Sequence, residues 1–118
     1  MAKAKDAGIE PFGLKPEALA LIRRVFRGHP EVREVKIFGS RAMGGFENHS
    51  DVDLALWGDL NQGLIARIFG ELDELPLPYT FDVKVYEAIK HAPLKRHIDE
   101  VGKILYEGQS SSPSRRQG

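Results

Sequence analysis

The sequence contains no cysteine, which excludes disulfide bonds, thiol nucleophiles and thiolate metal ligands. Its 17 Lys and Arg residues balance its 17 Asp and Glu residues, so the formal net charge is zero. A neutral chain has no net positive field to attract a long nucleic acid. No stretch approaches the run of about 18 apolar residues that a membrane helix requires, and the first residues, MAKAKDAGIEPFG, contain no apolar signal core. We therefore expect a cytoplasmic protein without membrane association or strong nucleic-acid binding.

The composition is that of one folded domain. A chain of 118 residues, 42% hydrophobic and 29% charged, is large enough to build a single core without covalent cross-links. We predict a flexible N-terminus over residues 1–13 and a folded domain over residues 14–107. The tail over residues 108–118, GQSSSPSRRQG, lacks an apolar anchor and is predicted to be disordered.

Helices and strands alternate along the predicted domain. One helix begins at Pro16 and ends before Gly28 and Pro30, and a second begins at a cap on Asp59 and ends at Pro76. A third helix is predicted over 93–101, and strands are predicted over 32–38, 52–57, 79–86 and 103–106. A small mixed sheet flanked by helices follows from this order, which is an α+β fold of the α/β sandwich type.

Two aspartates, Asp51 and Asp53, stand one residue apart on a strand that otherwise reads Val, Leu, Ala, Leu and Trp. Because side chains alternate along a strand, both point to one face, with their Cα atoms about 7 Å apart. Two negative charges this close repel each other, and a divalent cation removes that cost. Ligands that are all oxygen suit Mg²⁺. The plain alternative is that Asp51 caps a turn after Ser50, but this leaves Asp53 unexplained.

A third carboxylate, Asp82, stands between Phe81 and Val83 on the next predicted strand. If that strand lies beside the strand of the paired aspartates, three carboxylates converge. Such a set can hold two metal ions about 3.5–4 Å apart, the geometry that favours phosphoryl-type displacement. The plain alternative is a solvent-facing Asp82 that pairs with Lys84 on the same face.

A Gly39-Ser40-Arg41 segment follows the first predicted strand. Glycine permits a close approach of the backbone, and serine offers a hydroxyl and an N–H group to a phosphate. Arg41 would add a charged donor. The alternatives are an ordinary tight turn at Gly39-Ser40 and a surface arginine at position 41.

Other polar and aromatic residues show no comparable pattern. The four histidines contain no i, i+4 metal-binding pair, and we expect surface or capping roles for all of them, with His49 as an alternative proton carrier near the aspartates. Trp57 and Phe46 are expected to fill the core or an interface rather than to stack on a base. The remaining histidines are His29, His91 and His97.

Together these residues form the pattern Gly39-Ser40, ten residues, Asp51-Val52-Asp53, and later Phe81-Asp82-Val83. The pattern resembles the signature of the DNA polymerase beta-like nucleotidyltransferases over roughly residues 14–106. The short chain resembles the minimal nucleotidyltransferase (MNT) branch of that superfamily. The resemblance implies that Asp51 and Asp53 are metal ligands, that Asp82 is the third acid of the site, and that Gly39-Ser40 binds a triphosphate.

The resemblance also implies an activity and a partner. We expect Mg²⁺-dependent transfer of a nucleoside monophosphate to an acceptor hydroxyl, with AMP from ATP as the main case and two Mg²⁺ ions, or Mn²⁺, at the aspartates. The acceptor would be a tyrosine of a HEPN-type helical protein, which this chain would neutralise as an antitoxin within a homo- or hetero-oligomer. Many MNT proteins have a second arginine where this chain has Met43. That departure favours the alternative of a nucleotide-binding subunit that acts by complex formation without turnover.

Overall fold

The structure is a computed structural model that describes residues 11–43 and 51–108. The predicted flexible N-terminus and disordered tail therefore fall largely outside the described residues, and the domain boundaries stay predictions. Three helices are described, α1 (Pro16–Arg27), α2 (Gln62–Asp73) and α3 (Ala92–Val101). Four strands are described, β1 (Val32–Phe38), β2 (Val52–Gly58), β3 (Phe81–Val85) and β4 (Lys103–Glu107). Short helical turns lie at Pro11–Gly13, Ser40–Met43 and Tyr86–Ala88.

The four strands form one mixed sheet in the order β3-β2-β1-β4. β1 is antiparallel to both β2 and β4, whereas β2 and β3 are parallel. Parallel neighbours need a crossover connection, and α2 supplies it. The predicted α+β architecture with a small mixed sheet is therefore confirmed.

Helices cover both faces of the sheet. α1 and α2 pack over one face, where the larger core contains Ile22, Phe26, Ile37, Leu54 and Ile68. α3 packs over the other face, where Ile98 meets Phe38 and Ala55. Because alternate residues of β2 point to opposite faces, Asp53 lies on the same face as Ala55, which is the face that α3 covers.

The helix boundaries follow local chemistry. Pro16 occupies the first turn of α1, and the Gly28 N–H donates to the carbonyl of Arg24 at 3.2 Å where that helix ends. The predicted cap of α2 at Asp59 is wrong, since the Asn61 side chain accepts from the Leu64 N–H at 2.8 Å. The Asp59 N–H instead donates to the carbonyl of Glu31 at 3.1 Å. Asp59 is therefore bonded to the chain segment just before β1 and is not part of the helix start. None of the described helices is long and apolar enough to cross a membrane.

Gly58 ends β2 in a conformation that only glycine adopts without strain. Its φ is +149°, and a Cβ atom at this position would overlap the carbonyl oxygen of Glu31. Gly70, in the middle of α2, has nothing within 4 Å of the same hypothetical atom. The two glycines therefore differ in what they contribute to the fold.

We predict that Gly58→Ala lowers the free energy of unfolding by at least about 2 kcal/mol, because both the strained φ and the backbone overlap must be relieved. Gly70→Ala should raise the same quantity by up to about 1 kcal/mol, because alanine favours a helix interior over glycine. Urea denaturation of both variants measures the two changes. Equal shifts in the same direction would contradict this account of Gly58.

Candidate functional site

Two of the predicted site carboxylates lie on neighbouring strands. Asp53 of β2 pairs in register with Asp82 of the parallel β3, so the predicted adjacency of these strands is confirmed. Asp51 lies one residue before β2 and is exposed to solvent. The sheet thus places Asp53 between Asp51 on its own chain segment and Asp82 across the parallel pair.

The electrostatics of Asp53 reflect this arrangement. Its pKa is raised, first by burial of the carboxyl and then by the negative charges of Asp82 and Asp51. Lys84 and His97 act in the opposite direction. The ionised carboxylate is therefore unfavourable where it lies, and a bound cation would relieve that cost.

Asp82 also has a basic neighbour. Its Oδ2 atom lies 3.5 Å from Lys84 Nζ, and the two side chains are 47% and 38% exposed. The contact expected from the plain alternative for Asp82 is therefore present. It does not exclude a metal-binding role, because an exposed ion pair contributes little and is easily exchanged.

The three aspartates are neighbours, but their carboxylates do not converge on one position where a metal ion could bind. Across residues 11–43 and 51–108, no group of three or more His, Asp or Glu side chains is placed to hold a metal ion. Repulsion between the carboxylates, and the contact of Lys84 with Asp82, both act against their convergence. The chemistry of the donors nevertheless fits Mg²⁺, because the set offers only oxygen ligands and surrounds Asp53 with excess negative charge.

Gly39 brings the backbone up against this carboxylate set. It follows Phe38, which pairs with Asp53 across β1 and β2, and its φ is +76°. The positive φ favours glycine at this position, and a Cβ atom there would displace Oδ2 of Asp53. The Ala42 N–H donates to the Gly39 carbonyl at 3.1 Å, which also makes this a tight turn, as the plain alternative predicts. Ser40 opens the helical turn Ser40–Met43.

Arg41 lies inside the protein. The residue is 2% exposed, its Nη1 donates to the carbonyl of Phe12 at 2.9 Å, and its guanidinium lies 4.9 Å from the centre of the Tyr79 ring. Burial lowers its pKa. The alternative of a surface arginine is therefore wrong, because this side chain joins the N-terminal turn to the segment before β3. A role in phosphate binding stays a prediction.

His97 is a site residue that sequence reasoning missed. The Gly39 N–H donates to His97 Nε2 at 3.2 Å, and the imidazole meets the Phe38 ring edge-on with the ring centres 6.0 Å apart. The expected surface or capping role is wrong for this histidine. A signal was present, because His97 shares its face of α3 with Leu94, Ile98 and Val101 at helical spacing.

The other singled-out residues have simpler roles. His29 contacts Glu71 of α2 through Nε2 and Oε1 at 2.9 Å, and His91 is exposed. Trp57 stacks on Tyr86 with ring centres 4.6 Å apart and packs on the core beneath α3, so its expected role as a filler is confirmed. Phe46 and His49 lie outside the described residues.

A groove of about 660 Å³ lies between β3 and α2, and Asp82 is one of the residues that line it. Its walls are mostly apolar, and Phe69 on its rim is 42% exposed. β3 is the terminal strand of the described sheet, so this groove lies at an open edge of the site. The residues that define the groove here are Asp82, Leu60, Ile65, Phe69, Val83 and Val85.

Solved structures with the same fold come from toxin–antitoxin complexes. A chain of a toxin–antitoxin structure with AMP-PNP matches at TM-score 0.64 and 21% identity, over 79% of this chain and 76% of that one. A chain of the MntA–HepT toxin–antitoxin matches at TM-score 0.60 and 18% identity, over 82% and 76%. A chain of the complex of a tri-AMPylated Shewanella oneidensis HEPN toxin with MNT antitoxin matches at 0.59 and 18%, over 80% and 74%.

Sequence comparisons give the family directly. No curated protein matches the chain. The family model of the polymerase beta nucleotidyltransferases matches residues 21–111, which include the Gly39-Ser40 turn and all three aspartates. Because this match spans far more than half of the sequence and agrees with the fold, the chain belongs to the polymerase beta nucleotidyltransferase family.

Proposed function

We propose that this protein is a Mg²⁺-dependent nucleotidyltransferase that moves AMP from ATP to a hydroxyl group of a HEPN-type partner and so acts as an antitoxin. The observation that carries the proposal is the pairing of Asp53 with Asp82 on parallel strands, directly beside the Gly39 backbone. The family match supports nucleotidyl transfer. The similar complexes with AMP-PNP and with an AMPylated HEPN toxin support the nucleotide and the acceptor.

Asp51, Asp53 and Asp82 would hold the metal ions. When bound, Mg²⁺ supplies charge neutralisation for the triphosphate and for the oxygens that attack and leave. The three carboxylates alone would repel a polyanion, so metal and nucleotide must bind together. This coupling follows from the charge set around Asp53.

The residues of the chain have distinct roles in the transfer. Gly39 lets the backbone approach the triphosphate, and Ser40 offers it an N–H and a hydroxyl group. Asp82, a half-exposed residue that lines the groove, receives the proton of the acceptor hydroxyl. The acceptor oxygen then forms its bond to the α-phosphorus as the bond to pyrophosphate breaks. The protein contributes positioning and charge more than covalent chemistry.

The groove beside Asp82 is the proposed binding site for the segment of the partner that carries the acceptor hydroxyl. An acceptor hydroxyl must reach Asp82, and the groove is the mostly apolar surface that Asp82 helps to line. An exposed aromatic such as Phe69 is the type of residue that anchors protein interfaces. A peptide segment that carries a tyrosine would therefore bury apolar surface in the groove while its hydroxyl group faces the carboxylates.

A second function is a nucleotide-binding antitoxin subunit that acts by complex formation alone. The observation that favours it is the burial of Arg41, whose guanidinium contacts Phe12 and Tyr79 inside the protein. Met43 in place of a second arginine points the same way. A site with less positive charge around the phosphates would bind nucleotide more weakly and turn over more slowly.

We predict that ATP binding requires Mg²⁺ or Mn²⁺. ATP and metal at about 100 times the apparent Kd should stabilise the fold by about 2.7 kcal/mol and raise the melting temperature by several degrees. Calorimetry and thermal melts, each with metal and with excess chelator, test this. Equal ATP affinity in chelator would rule out metal-bridged binding.

We predict that Asp53→Asn abolishes transfer but not folding. Loss of a charge and a metal ligand should lower the rate of nucleotidyl transfer by several orders of magnitude. A carboxyl whose pKa is higher in the folded than in the unfolded chain destabilises the fold when it is ionised. At pH 7 the metal-free variant should therefore melt at the wild-type temperature or slightly above it.

The opposite outcome identifies a structural aspartate. An Asp53 kept for a cap or an ion pair would lower the free energy of unfolding by about 1 kcal/mol or more when neutralised, with transfer retained. Thermal melts in chelator and mass spectrometry of the partner after incubation with ATP separate the two cases.

We predict that Phe69→Ser weakens the complex with a co-expressed HEPN-type partner by roughly tenfold or more, because the groove loses its exposed aromatic. Ile104→Ser is the matched control, since Ile104 is 50% exposed on β4 at the far edge of the sheet. Affinity for partner and for ATP is measured for both. A loss of ATP affinity in Phe69→Ser, with partner affinity unchanged, would assign the groove to the nucleotide instead.

A further inference from the structure

A contact from α3 reaches the backbone of the Gly39-Ser40 turn. Nε2 of His97 accepts the N–H of Gly39 at 3.2 Å, and this bond joins residues far apart in the chain. The His97 ring is itself held, because it packs edge-to-face with Phe38 at 6.0 Å between ring centres and its neighbour Ile98 is fully buried in the same cluster as Ala55. The acceptor is therefore fixed by the packed second face of the sheet.

We infer that His97 is a positioning residue that fixes the Gly39-Ser40 turn for the triphosphate. The inference rests on the proposed nucleotidyl transfer. Glycine samples a much wider range of φ and ψ than other residues, so the feature that makes Gly39 able to approach a phosphate also makes the turn loose. The bond to His97 removes that freedom at the backbone amide itself.

The position of the turn matters because of what lies next to it. Gly39 follows Phe38, which pairs with Asp53, and a Cβ atom on Gly39 would meet Oδ2 of Asp53. A shift of the turn therefore changes the distance between the phosphate-binding backbone and the carboxylates. The bond to His97 holds this backbone in one position, and its loss should therefore first weaken the binding of the triphosphate.

The hydrogen bond from Gly39 also defines the tautomer of the neutral imidazole. Since Nε2 accepts a hydrogen bond, the neutral ring carries its proton on Nδ1. A glutamine at this position can replace the acceptor, because its terminal amide atoms reach about as far from the backbone as Nε2. A phenylalanine keeps a flat ring against Phe38 but offers no acceptor. The two substitutions therefore separate the hydrogen bond from the packing.

The experiment compares His97→Phe, His97→Gln and the wild type in the full chain. In His97→Phe, we expect hydrogen exchange at the Gly39 amide to accelerate, and KM for ATP to rise by roughly five- to tenfold, the size expected for one lost hydrogen bond. Affinity for the partner should stay the same and kcat should change less than KM. His97→Gln should restore both the exchange rate and KM. His91→Phe, at an exposed position just before α3, is the matched control and should change neither.

Each outcome has one meaning. A lowered melting temperature in His97→Phe with wild-type KM and wild-type exchange at Gly39 overturns the inference and leaves His97 as a packing residue only. Failure of the glutamine variant to restore KM where phenylalanine raised it also overturns the role of the hydrogen bond. Absence of both ATP binding and transfer in the wild type overturns the proposed function, and with it the nucleotide role of His97.

Discussion

The parallel pairing of β2 with β3 is the constraint on which the rest of the site depends. It sets Asp53 beside Asp82, and it exists because α2 crosses over between the two strands. The antiparallel partner β1 then ends at Phe38 opposite Asp53, so the turn that follows β1 must pass the carboxylates. The pairing of β1, β2 and β3 thus brings acidic side chains and the flexible glycine turn after β1 to the same end of the sheet.

This arrangement is unfavourable for the isolated domain. A half-buried carboxylate with two negative neighbours raises the energy of the folded state, and a glycine with positive φ adds backbone entropy to the unfolded state. The apolar packing on both sheet faces offsets these costs. Local departures from good folding chemistry are expected where a protein binds a charged ligand, and here they coincide at one place.

Much of this was predictable, because the determining signals are local. The apolar periods fixed the three helices and four strands, and the isolated polar residue in Phe81-Asp82-Val83 indicated the strand that lies beside Asp53. The errors arose from contacts between distant segments. Asp59 is a good cap residue, but its N–H belongs to the sheet through Glu31. The burial of Arg41 between Phe12 and Tyr79 rules out only the alternative of a surface arginine, and its predicted role at the phosphates stays a prediction. His97 gains its role from the backbone of Gly39, which no short segment reveals.

The order of the strands also has a consequence for how the protein comes to be made. β1 lies between β2 and β4, and the last of the described strands therefore completes the hydrogen bonds of the first. The carboxylates precede α3 and β4 in the chain, so they are synthesised first. Contacts at such long sequence separation form late and cooperatively. The acidic residues therefore exist before the helix that packs beside the Gly39 turn, and the arrangement around Asp53 is complete only after α3 and β4 have joined the sheet.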